Sequence, residues 1–91
     1  MQEWKDFERK AIAEGGTIKE DFEEMEVIAS IITSIIQKRN ELGYSQRFLA
    51  DLCGLPQSSI ARIEAYIVKP NVDTLIKIMR PLGLSLKVVA L

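Results

Sequence analysis

Gln46 to Ile63 reads QRFLADLCGLPQSSIARI. The stretch fits a helix, a tight turn and a second helix. Ala50 is small, as required where two helices cross at close range, and Gly54 supplies the positive φ that the turn needs. Leu49, Cys53, Leu55, Ile60 and Ile63 are the apolar positions that would hold the two helices together. At about 100° per residue, Ile60 and Ile63 define the buried side of the second helix. Ser58 and Arg62 then point the opposite way, and Gln57 falls in the first turn. An exposed helix face of this kind is what the major groove of DNA accepts.

Working outward, Ser45 is the cap of the first of these helices, Gln46 to Leu52, and Pro56 takes the first position of the second, which runs to about Ala65. Tyr66 to Pro70 is a loop. Asn71 caps a further helix, Val72 to Leu82, and Gly83 stops it. Upstream, Thr17 and Glu20 form a capping-box pattern. A long helix from there to about Leu42 carries Phe22, Met25, Ile28, Ile32, Ile35 and Ile36 at helical spacing, with Gly43 as its C-cap. A break near Glu26 is the competing reading. Glu3 to about Ala13 reads as a short helix with Trp4, Phe7 and Ala11 on one face, ended by Gly15-Gly16.

The tail changes period. Leu84, Leu86, Val88 and Ala90 alternate with Ser85 and Lys87, as in a strand. An isolated strand needs a partner, and the simplest is the same strand of a second copy. Continued helix or a frayed end is the alternative, and Val88-Val89 weighs against helix.

Composition excludes several function classes. There is no histidine and one cysteine, Cys53, so zinc sites and histidine acid–base chemistry lack their usual parts. No metal, cofactor or catalytic residues are expected, and no enzyme. Cys53 reads as a small buried apolar residue, and a lone cysteine fits a reducing cytosol. No apolar run reaches the ~18–20 residues of a membrane span, and no signal peptide is visible. The net charge of −1 divides unevenly. Residues 1–30 carry nine acids and four bases, a net −5, whereas residues 31–91 carry eight bases and four acids, a net +4. The basic part suits a phosphate backbone, and the acidic front suits a basic protein partner.

Residues 35–85 resemble the Xre/Cro family of phage-repressor-like domains. The resemblance rests on Arg39, Gly43, Ser45, Gln46, Leu49, Ala50, Gly54, Leu55, Ile60, Ile63, Glu64, Pro70, Leu75, Leu82 and Gly83. It implies an all-α fold: a five-helix helix-turn-helix domain over 26–84, with an N-terminal acidic helical extension over 1–25; the alternating tail adds a dimerising strand over 85–91 that uses Leu84, Leu86 and Val88. It implies operator DNA as partner, read by Gln57, Ser58 and Arg62, with Gln46 on phosphate. Glutamine pairs bidentately with adenine and arginine with guanine. Arg47, Ser59 and Lys69 lie nearby and are expected to touch phosphate. Arg39 and Glu64 match a partly buried ion pair whose role is structural. Tyr66 departs from the family, which often has glycine there.

The acidic front, the C-terminal strand and the small size are similar to HigA-type antitoxins of bacterial type II toxin–antitoxin pairs. That likeness implies a cytoplasmic homodimer that represses its own operon and neutralises a HigB-like endoribonuclease; Trp4, Phe7, Ile12, Ile18 and Phe22, apolar groups set among acids, are then the expected toxin-binding residues. A stand-alone phage or host repressor and a non-DNA interaction module are the other readings.

Overall fold

A computed structural model describes residues 17–91, with side chains from Phe22 onward. Four α-helices follow in order: α1 (Thr17–Glu41), α2 (Gln46–Cys53), α3 (Gln57–Glu64) and α4 (Val72–Met79), closed by a 3-10 turn, Arg80–Leu82. These stand, among the described residues, where five helices were expected. The helix expected over Glu3 to Ala13 lies outside them.

α1 is one unbroken helix of 25 residues, and the break considered near Glu26 does not occur. Neither Gly nor Pro interrupts it, and the apolar spacing from Phe22 to Ile36 carries across that position. Its two halves differ in packing. Phe22 to Val27 are all exposed, whereas Ile32 and Ile35 are buried. α2 buries Leu49, Ala50 and Cys53, α3 buries Ile60 and Ile63, and α4 buries Leu75, Ile78 and Met79. With Leu82 these residues make one apolar cluster, against which Ile28, Ile31, Ile36, Tyr44, Leu55 and Leu84 pack half-buried. Full burial of a leucine, isoleucine or methionine side chain in this cluster contributes ~1.5–3 kcal/mol.

Local chemistry sets the ends of the elements. The Ser45 hydroxyl accepts the Phe48 N–H at 3.0 Å, and the Asn71 carbonyl oxygen of the side chain accepts the Thr74 N–H at 2.9 Å. The chain turns four times by one device. After α1, α2, α3 and the 3-10 turn, a left-handed residue and its successor donate back to the last carbonyls in the paired pattern of a Schellman motif. Gly43, Gly54 and Gly83 take that position with φ near 70°, and after α3 it falls to Tyr66, at φ 61°.

Three expectations are corrected. Pro56 is the cap residue of α3 (φ −62°, ψ 144°), and the helix begins one residue later, at Gln57. The fixed proline φ suits either position, so the residue alone does not choose. The fourth helix ends at Met79 and tightens into the 3-10 turn. Pro81 has no N–H to continue the α-helical ladder. The tail forms no strand among the described residues: Leu84 packs on the core, and residues 85–91 are exposed outside regular structure. A strand requires a neighbour for its backbone, and a single chain offers none.

Candidate nucleic-acid interface

The turn between α2 and α3 is held by its own backbone. Gly54 donates to Asp51 and Leu55 to Ala50, at 3.3 and 3.0 Å. The αL conformation at Gly54 (φ 70°) lets Leu55 fold back under α2. α3 then lies with Ile60 and Ile63 in the core and with Gln57, Ser58 and Arg62 exposed; Ser59 is half-buried at the flank. The expected reading face is therefore presented on one side of a short, well-anchored helix. Arg47 is exposed on α2.

Beneath this face runs a chain of polar contacts. The Arg39 guanidinium grips Glu64 with two hydrogen bonds, Nε to Oε2 at 2.7 Å and Nη2 to Oε1 at 2.8 Å. Its Nη1 also donates to the Tyr44 carbonyl at 2.7 Å. The two charged side chains are only 12% and 7% exposed, so the pair is largely removed from water. This bidentate geometry ties the end of α1 to the end of α3. Gln46 extends it: its Nε2 donates to Glu64 Oε1 at 3.0 Å, and its Oε1 accepts from Gln57 Nε2 at 3.2 Å. A carboxylate only accepts, so Glu64 fixes the orientation of the Gln46 amide and leaves its oxygen for Gln57. Sequence reasoning assigned Gln46 to phosphate and did not place it between Glu64 and Gln57. The signal was there in the spacing: 11 residues across the turn brings the first residues of two successive helices side by side.

Around this centre, Tyr44 and Phe48 meet edge to face with centroids 4.8 Å apart, which fixes the chain entering α2. Lys69 sits apart from the reading face, in the loop after α3, and forms an exposed ion pair with Glu24 of α1. Tyr66, whose hydroxyl lies 3.2 Å from Thr33 Oγ1, makes a second link between that loop and α1. Neither link was expected. Of the residues assigned to a protein partner, Phe22 is exposed on α1. Ile18 lies within α1, while Trp4, Phe7 and Ile12 lie outside the described residues. Burial raises the pKa of Cys53 above its ordinary value, against a smaller opposing effect of Lys77.

Comparison with known proteins agrees with this geometry. Residues 35–89 match a family model described as helix-turn-helix. An uncharacterized HTH-type transcriptional regulator of Haemophilus influenzae is 36% identical over 88 residues, covering 97% of this chain and 85% of that protein. The HTH-type transcriptional regulator PuuR of Escherichia coli is 46% identical over 48 residues, 53% of this chain but 26% of PuuR, and its Shigella flexneri counterpart matches to the same extent. No solved structure matches the chain. With more than half of its length matched by the family model, and a relative that aligns almost end to end, the chain belongs to the helix-turn-helix family.

Proposed function

We propose that this protein is a sequence-specific DNA-binding transcriptional regulator that represses its own operon and acts as the antitoxin of a type II pair. The observation that carries the DNA reading is the exposed Gln57, Ser58 and Arg62 on α3, with Gln57 braced from behind by Gln46 and Glu64. α3 enters the major groove, Gln57 and Arg62 address base edges, and Gln46, Arg47 and Ser59 address phosphate. The protein works as a homodimer on a pseudo-palindrome. Leu84 anchors each tail to its own core, and Leu86 and Val88, both exposed, pair across the two-fold axis.

The antitoxin half rests on the division of charge. The DNA-facing region is basic, while residues 1–30 carry −5 and the exposed front of α1 adds Phe22, Met25 and Val27. Acids around apolar anchors suit a basic protein such as a HigB-like ribonuclease, with Trp4, Phe7, Ile12, Ile18 and Phe22 as contacts. The names of the relatives support a second reading, a plain transcriptional regulator without a toxin.

A gel shift of the chain on its own promoter over a salt series tests the first half. Retention at high competitor DNA supports sequence-specific binding, and loss of all preference over random DNA refutes it. Co-expression with the product of the adjoining reading frame tests the second half. A stable complex that abolishes that product's ribonuclease activity supports the antitoxin; failure to bind leaves the plain regulator.

A further inference from the structure

An apolar groove of about 310 Å³ opens between the front half of α1 and the loop after α3. Met25 and Ile28 form one wall, and Ile67 and Val68 the other. The exposed Lys69–Glu24 ion pair and the contact of Tyr66 with Thr33 link its two sides. The surface at its mouth is unusually apolar for exposed residues. Met25 is 68% exposed and Ile67 72%, and Phe22, about one turn before Met25 on α1, is exposed as well. Among the described residues nothing covers it. A contiguous apolar patch rimmed by charge marks a docking site.

We infer that the occupant is the chain's own N-terminal segment, with the Trp4 side chain seated in the groove. Sixteen residues precede Thr17, where α1 begins. Met25 and Ala29 lie about 12 and 18 Å along α1 from Thr17. Trp4 stands twelve residues before Gly16, a reach of about 18 Å if coiled as a helix and ~40 Å if extended, so it arrives at the groove in either form. Gly15-Gly16, directly before α1, is the pair of residues that most readily lets a chain reverse. The segment also carries the matching chemistry. Trp4 and Phe7 are large apolar groups that water leaves poorly solvated, and the groove supplies flexible Met25 and branched Ile67 and Val68 against them. The inference is independent of DNA binding. A protein partner that uses Trp4 as an anchor must first displace it from this groove.

Trp4 is the only tryptophan, so its fluorescence reports on the site without a label. In the full chain without DNA, its emission should lie to the blue of free tryptophanamide and resist acrylamide quenching, equally at all protein concentrations. Met25→Glu and Ile67→Glu, both at exposed positions, should each move the emission to that of the free compound and restore full quenching while helical circular dichroism is unchanged. Should either charged variant unfold, Met25→Ala and Ile67→Ala give the same comparison with a smaller shift. Emission and quenching like the free compound in the unaltered chain would overturn the inference, as would shielding that both groove substitutions leave intact. Shielding that vanishes on dilution would assign the groove to a second copy and overturn it too.

Discussion

Gln57 donates to Gln46 across 3.2 Å, and Gln46 in turn donates to Glu64, so the first residue of α3 is aimed from the first residue of α2. Gln46→Ala removes the brace, together with the phosphate contact proposed for Gln46, and leaves Gln57 itself in place. We expect a stability loss of about 1 kcal/mol and a weaker preference at the base Gln57 reads. Binding to a systematic set of operator variants checks it: unchanged preference would mean that Gln57 needs no support.

Arg62→Ala should weaken binding to the operator by ~1–3 kcal/mol and flatten preference at one position. Titration of cognate and random DNA separates the possibilities. An equal loss on both would place Arg62 on phosphate.

Glu64→Ala leaves the Arg39 guanidinium largely buried without its carboxylate. The expected cost is about 3 kcal/mol in urea denaturation. Replacing both partners by apolar residues should cost less than removing one, because no uncompensated charge remains.

Gly54→Ala meets no atom within 4 Å, so any loss comes from the backbone, held at φ 70°. About 1 kcal/mol is expected. A much larger loss in denaturant melts would point to a displaced turn.

Burial keeps the Cys53 thiol protonated beyond its usual range. The folded chain should react slowly with iodoacetamide at neutral pH and at full speed once unfolded. The raised pKa adds stability that is present below the ordinary thiol pKa and is lost as pH rises through the folded value. Melting at stepwise higher alkaline pH reads this directly in a comparison with Cys53→Ala.

Truncation after Ser85 removes only exposed residues and should leave the helical fold intact. Sedimentation should then show a monomer with tight operator binding lost. A truncated chain that stays dimeric removes the tail from the interface.

The elements legible in the sequence were those decided within a few residues. Ser45 and Asn71 as caps, Gly54 in the turn, and Ile60 and Ile63 as the buried side of α3 all depend on local hydrogen bonds and helical period. The Arg39–Glu64 pair was legible only through resemblance. What stayed hidden joins distant residues: Gln46 to Glu64 across 18 positions, Tyr66 to Thr33 across 33, and Lys69 to Glu24 across 45. No local pattern encodes such meetings. The tail is a related case: alternation shows that a segment suits a strand, while only a neighbouring backbone makes it one, and the single chain supplies none.

α1 is a single rod of 25 residues, about 37 Å long, whose acidic end stands clear of the core while its far end holds Glu64 through Arg39. Its unbroken winding fixes the angular phase between the two ends. One residue inserted between Ser30 and Ile31 would turn the acidic face by about 100° relative to the DNA-reading face, and seven would bring it nearly back into phase one step farther out. Whatever grips the front of this protein therefore meets α3 at a set bearing and distance, and the helix acts as the gauge between them.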